Sequence, residues 1–343
     1  MGDWPFAPPI KPMKAKVLET PPVPPGWFYE PKWDGFRALA WSGAEPRLDS
    51  RSLKPLLRYF PELRPALDQL PPATVIDTEI VVIVGDVTDF GALQQRIHPA
   101  ESRINLLASE TPAEIIAFDL LADRGEDLRD RPYEERRRRL ESLFSGLSFP
   151  WHLTPVTGDL DEARRWFTDY ESAGCDGIIA KQADEPYVED KRNWIKWKHR
   201  RDADCVVGGY RVHKDGDKIG SILLGLYNEA GELSFVGHCS GFSDHDRVEL
   251  LKQFESIRAD ESFGGSDDVR VPGAQSRWSA GKSLDSVPVE PGVVVQVSYD
   301  QLEGNRFRHA TRFERWRPDK PAEECTFDQL ERPRGTGFSE VAS

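Results

Sequence analysis

The sequence predicts an α+β domain over its first part, followed by a smaller β-barrel. Three observations carry this. The chain has 343 residues, enough for two domains that each bury a core. Up to about residue 200 strand-like and helical patterns are intermixed, whereas beyond it short strands separated by Gly and Asp turns dominate. Between the two textures lies the charged stretch 200–204, which marks the boundary.

Residues 1–26 are Pro-rich and irregular. Strand-like runs follow at 27–30, 36–41 and 74–84, and shorter ones at 115–121, 177–181 and 193–198. Amphipathic helical patterns occupy 56–67, 132–144 and 160–173, the last opening on acids and stopping at Gly174. Within the second of these, the run Arg136 to Arg139 reads as a solvated face. Past the boundary, strands are expected at 205–212, 219–227, 233–238 and 293–299, with a helix at 244–257. Four clear strands and a helix come close to the five-stranded OB barrel, a common holder of nucleic acid. The Ser/Gly/Asp-rich stretch 260–286 reads as one long polar loop. The expected domains are therefore 1–201 and 202–330, with a disordered tail over 331–343.

Composition excludes several classes. With 38% hydrophobic and 30% charged residues the chain is globular rather than disordered. Four cysteines spaced 30 or more residues apart, without C-x-x-C, argue against a structural zinc site. The first residues carry neither a basic nor an apolar leader pattern, so a reducing cytoplasm is expected. The most apolar stretch, 75–84, is broken by Asp77, Thr78 and Glu79, so no membrane span is expected. The net charge of −13 argues against a polyanionic partner, but its distribution reverses that reading. Basic islands at 191–201 and 306–320 interleave with Trp194, Trp197, Phe307, Phe313 and Trp316, as a nucleic-acid surface would.

Three short runs carry chemistry. In Lys32-Trp33-Asp34-Gly35, Lys32 and Asp34 point to one side of an extended segment and Gly35 allows close approach of a ligand. Such a lysine becomes a nucleophile when burial or cationic neighbours such as Arg37 favour its neutral form; alone, the run also reads as a surface turn. In 75–81, period 2 places Asp77 and Glu79 on one face, to meet cations, a metal or ligand hydroxyls, or else to form a wet edge. In 194–198, Trp194, Lys196 and Lys198 share a face, and adjacent lysines call for an anion such as a phosphate chain. Two other signals fall away: Ala280-Gly281-Lys282-Ser283 ends like a P-loop, but Ser276 stands at the first Gly position, and the seven histidines are scattered.

In their order along the chain these runs resemble the covalent nucleotidyltransferases, the ATP-dependent DNA ligases and mRNA capping enzymes. Lys32 to Gly35 with Arg37 resembles motif I, Ser50-Arg51 motif Ia, Asp77 to Glu79 motif III and Phe118-Asp119 motif IIIa. Asp176 to Lys181 is similar to motif IV, Trp194 to Lys198 to motif V and Arg315 to Lys320 to motif VI. The likeness is greatest to the compact accessory ligases of bacteria, the LigC type, and to the ligase part of LigD.

The resemblance implies a nucleotidyltransferase (ATP-grasp-like) domain followed by an OB domain. It implies that Lys32 takes AMP from ATP, that AMP passes to the 5′-phosphate of a nick, and that the 3′-hydroxyl displaces it. By the same likeness Phe118 stacks on adenine, and Glu30, Arg37, Arg51, Glu79, Lys196, Lys198, Arg317 and Lys320 serve the nucleotide. Asp34, Glu79 and Asp176 would hold Mg²⁺ or Mn²⁺. The partner would be nicked double-stranded DNA, met by a monomer, in DNA repair. Phe118 also reads as plain core and Asp119 as a strand-end cap. The chain departs from the family at Asp176, where Glu is usual, at Thr78 in place of Gly, and at Ala310-Thr311 ahead of motif VI. The alternatives are a GTP-using capping enzyme, an RNA ligase, or a non-catalytic OB protein that only binds nucleic acid.

Overall fold

The computed structural model describes residues 4–264, 271–272, 285–330 and 335–342. Most of the expected polar loop and the run Ala280 to Ser283 lie outside the described residues. The chain forms two compact units, 1–198 with 333–343, and 199–332.

The first unit contains two sheets. The larger one is built on the adjacent strands Arg47–Ser50, Phe36–Trp41, Val75–Val84 and Ala113–Asp123. The β-branched run Val75–Val84 is its spine, with antiparallel neighbours on both sides. Alternation sorts its side chains: Ile76, Ile80 and Val82 join the core that the helix Tyr133–Phe144 covers, while Val75 and Val81 pack into clusters with residues of the second sheet. Asp77 and Glu79 share the parity of that second face. The smaller sheet orders Ala15–Leu18, Trp194–Lys198, Cys175–Gln182 and Trp27–Trp33.

Two bulges aim the residues that matter. Asp77 pairs with Asp119 and Thr78 with Ala117, which leaves Phe118 as an extra, unpaired residue. In the smaller sheet Cys175 pairs with Trp33 and Ile178 with Pro31, so Asp176 and Gly177 together stand opposite Lys32. Gly177 has φ +140°, and a Cβ there would lie 2.1 Å from the Trp197 carbonyl oxygen, so no other residue fits.

Several expectations are corrected. The helical pattern 56–67 is two 3₁₀ turns, Leu57–Tyr59 and Pro61–Leu63, and one short helix, Arg64–Leu67. Pro61 and Pro65 withhold the N–H groups a continuous helix needs. Two unexpected helices, Phe90–Gln95 and Glu101–Glu110, complete this side. Of the arginines read as a solvated face, Arg136 and Arg137 are buried. The stretch expected to be disordered is ordered over 335–342, where Phe338, Val341 and Ala342 are buried in the first unit.

The second unit is a five-stranded path, Leu233–Cys239, Ile219–Tyr227, Arg201–Val212, Val294–Tyr299 and Arg312–Trp316. The fifth strand, missing from the sequence reading, is the one that carries the basic motif. A bridge between Cys239 and Thr311 joins the two ends of the path and closes the barrel. Its core includes Val206, Ile222, Leu224, Val236 and Val295, with Phe254 from the helix Asp244–Glu255. All four cysteines are free and buried. No helix among the described residues is long and apolar enough to cross a membrane.

Candidate active site

At the end of the strand Trp27–Trp33, the Lys32 ammonium lies 2.7 Å from Asp176 Oδ1. The other Asp176 oxygen lies 3.0 Å from Lys198 Nζ. The Asp176 carboxyl is almost wholly buried; burial alone would raise its pKa, but Lys32 and Lys198 outweigh it and hold the pKa below the usual carboxylate range. Lys196 stands on the same strand face as Lys198. Burial, then the charges of Lys198 and Lys32, depress its pKa, with Arg51 adding to the effect. One carboxylate thus sits among several cations, a surplus of positive charge suited to a polyanion.

Glu79 approaches from the larger sheet. Its Oε1 accepts the Gly35 N–H at 3.0 Å. Burial pushes its pKa up to about 8, and Asp34 adds to this while Lys32 and Arg37 oppose it. A Cβ on Gly35 would come within 2.3 Å of the Ile80 carbonyl oxygen, so Gly35 is what lets the Lys32 turn meet this strand.

Next to this lies an aromatic shelf. Phe118 and Trp194 meet edge to face at 6.1 Å. Arg37 lies against both, 4.9 Å from the Trp194 ring centre and 5.5 Å from that of Phe118. Asp77 fixes the Arg37 guanidinium through two hydrogen bonds of 2.9 and 2.6 Å and itself accepts the Tyr187 hydroxyl at 2.7 Å. The Arg51 N–H donates to the Arg37 carbonyl at 3.2 Å, which ties motif Ia to this shelf.

Below the shelf is a buried ionic network that sequence reading missed. The Lys181 ammonium has no exposed surface, donates to the Phe118 carbonyl at 2.8 Å and pairs with Glu30 at 2.8 Å. Burial lowers the Lys181 pKa against the pull of Glu30 and Asp119. Glu30 also accepts the Tyr133 hydroxyl. Asp119, far from being a strand-end cap, is fully buried and bound by Arg136 through bonds of 2.8 and 3.0 Å. The signal for this network was available: Tyr133, Arg136, Arg137 and Leu140 recur at helical spacing as one buried stripe.

Not all predicted site residues come together. Among the described residues no three His, Cys, Asp or Glu side chains converge on a metal position. Asp34 is close enough for its charge to raise the Glu79 pKa, and two carboxylates in such proximity suit Mg²⁺, which takes its remaining ligands from phosphates and water. Asp176, read from sequence as a third ligand, has both oxygens on ammonium groups here. Arg317 and Lys320 belong to the second unit. There Asp204 receives Arg317 Nη1 at 2.9 and 2.7 Å, and Asp319 receives Nε and Nη2 at 3.0 and 2.9 Å. Lys320 pairs with Glu324 at 2.9 Å.

Residues 12–198 match the ATP dependent DNA ligase domain, and residues 215–320 match the ATP dependent DNA ligase C terminal region. The chain belongs to the ATP-dependent DNA ligase family. It is 48% identical to DNA ligase C2 of Mycolicibacterium smegmatis, over 96% of this chain and 97% of that one. It is 46% identical to DNA ligase C of Mycobacterium tuberculosis, over 98% of each. Among solved structures, the ligase domain of M. tuberculosis LigD is 29% identical, with a TM-score of 0.50 over 92% of this chain and 98% of that one. The ligase therefore combines a nucleotidyltransferase domain with an OB domain and uses ATP, as the motif order implied.

Proposed function

We propose that this ligase seals nicks between a 5′-phosphate and a 3′-hydroxyl in duplex DNA through AMP carried on Lys32. The observation that supports it best is Lys32 held on Asp176, which also holds Lys198, with the buried Glu79 carboxyl close enough to feel the Lys32 charge. In the first step Lys32 gives its ammonium proton to solvent and the resulting amine attacks the α-phosphorus of ATP. A P–N bond forms, the bond to the bridging oxygen breaks, pyrophosphate leaves with that electron pair, and the nitrogen sheds its second proton to water. Asp176, held ionised by its two lysines, orients the Lys32 amine rather than accepting its proton. Lys196 and Lys198 contact the phosphates, Phe118 takes the adenine face, and Arg37 and Arg51 lie towards the ribose and the nick phosphate. Glu30, joined to Lys181 and Tyr133 beneath the shelf, serves the nucleotide by holding the Lys181 ammonium on the Phe118 carbonyl.

A divalent cation, when bound, offsets the charge on the phosphates; Asp34 and Glu79 are the residues that would hold it. Arg317 and Lys320 serve the first step by stabilising the departing pyrophosphate. Repair is the biological setting we assign, because a relative 32% identical over 308 residues is named as a multifunctional non-homologous end joining DNA repair protein, LigD. Intact-protein mass spectrometry after incubation with ATP and Mg²⁺ tests the reading. It should show one acid-labile AMP, and the adenylated protein should then join a nicked duplex without further ATP. An adduct formed only with GTP, or joining of nicked RNA alone, would overturn it.

A further inference from the structure

The segment 335–342 packs in the first unit, although the chain reaches it from the second. Its seat is specific. The Phe338 N–H donates to the Asp86 carbonyl at 2.7 Å, and the Ser339 N–H and hydroxyl donate to the Asp86 carboxylate at 2.8 and 3.0 Å. The Ser172 hydroxyl donates to the Thr336 carbonyl at 2.8 Å. Phe338, Val341 and Ala342 complete an apolar cluster with Trp33 and Cys175, and the Phe338 and Trp33 rings meet edge to face at 5.5 Å.

What the segment covers gives it meaning. Trp33 follows Lys32, and Cys175 precedes Asp176. The two are register partners on the terminal rung of their strands, since Trp27–Trp33 ends there and Cys175–Gln182 begins there. Immediately beyond that rung is the bulge that sets Asp176 opposite Lys32. A terminal rung beside a bulge has hydrogen bonds on one side only and opens easily unless its side chains are packed. Trp33 and Cys175 are only 4% and 2% exposed, and three of the buried residues packed with them come from 338–342.

We infer that the segment 335–342 is a strap that positions Lys32 against Asp176 for nucleotidyl transfer, with Phe338 acting through the Trp33–Cys175 rung. Phe338 touches no reacting atom; it is a positioning residue. The inference rests on Lys32 being the nucleophile, so the experiment separates the two ideas.

The test uses the full chain and the variants Phe338→Ala, Phe338→Leu, Ser339→Asp and Lys32→Ala. Self-adenylation is measured across ATP concentrations, and backbone hydrogen exchange is followed in all strands of the first unit. Phe338→Ala should lower the rate at saturating ATP about tenfold with the KM for ATP changed less than about twofold, because alignment is lost rather than binding. Phe338→Leu should recover most of that rate. Ser339→Asp sets a carboxylate beside Asp86 on the surface and should release the strap without emptying the core, for a loss of about threefold; it carries the test if Phe338→Ala does not fold. Exchange should rise clearly more in 27–33 and 175–182 than in 75–84 and 113–123, whose Val81 and Ile116 share the cluster but whose strands are paired on both sides. Wild-type adenylation by a variant whose segment exchanges freely would overturn the inference, as would a rise in exchange spread evenly over the unit. If Lys32→Ala still takes up AMP, the nucleophile reading fails instead.

Discussion

Two ionic triads of opposite sign stand in the two units. In the first unit one carboxylate, Asp176, lies between two ammonium groups, Lys32 and Lys198. In the second, one guanidinium, Arg317, lies between two carboxylates, Asp204 and Asp319. The first keeps a net positive charge and can receive a phosphate without giving anything up. The second is more than neutralised, so Arg317 must release a carboxylate before it can bind a phosphate. A site that must always be ready and a contact needed only at one step are thus distinguishable by which sign is in excess.

The most damaging way to break the comparison is to remove the first triad's working member. Lys32→Ala should abolish the AMP adduct, a loss of at least about a thousandfold, read by mass spectrometry. A smaller but still large loss, about a hundredfold in self-adenylation, is expected of Gly177→Ala, whose new methyl group meets the Trp197 carbonyl and tilts Asp176 away from Lys32. Normal adduct formation by Gly177→Ala would show that the bulge does not set the pair.

The second triad should respond by step. Arg317→Ala should slow self-adenylation by about tenfold to a hundredfold while a chemically pre-adenylated nick is sealed within a few-fold of the normal rate. Asp204→Asn, which removes a competing carboxylate without deleting Arg317, should leave the first assay unslowed or up to about threefold faster. Equal losses in both assays would place Arg317 on the DNA throughout.

Glu79 sharpens the comparison through pH. Its pKa is raised by burial and Asp34, so folding favours the protonated form. Its stabilising effect is complete below the ordinary carboxyl range and is lost as the pH rises to about 8. In the presence of a chelator, wild-type Tm should therefore fall by a few degrees relative to Glu79→Gln between pH 5 and about 8. Added Mg²⁺ should narrow the gap if Glu79 helps to hold it; Tm curves that stay parallel would refute the assignment. The smallest effect belongs to the basic island. Arg200 is paired with Glu314, so replacing Arg200 and Arg201 together should reduce the salt dependence of nicked-DNA binding by only about one unit of log–log slope.

The front of the site was legible in the sequence because it is built on strands. Period 2 placed Asp77 with Glu79 and Lys196 with Lys198, and the structure keeps those faces. Motif order gave both domain types. What stayed hidden depends on contacts across the chain. Arg136 looks like its neighbour Arg138 until Asp119 is brought against it. Asp204 carries no local sign that Arg317 will reach it. Pro61 and Pro65 were visible, yet the apolar spacing of 56–67 outweighed them in the reading. The segment 335–342 is short and polar at its start, and only its receiving groove makes Phe338 a core residue.

The extra residue at Phe118 has one more consequence. Ahead of it, odd-numbered side chains such as Ile115 and Ala117 enter the main core; behind it, Leu120 does so. A second slip, between the pairs Val75–Ala122 and Ile76–Leu120, puts Leu121 and Ala122 into the neighbouring cluster. The strand therefore changes phase twice, and the stretch from Phe118 to Leu121 is a short out-of-phase insert spliced into an otherwise regular ladder. Forcing Phe118 into regular pairing would flatten the insert and ruin the protein, because every side chain from that point to the second slip would exchange sides.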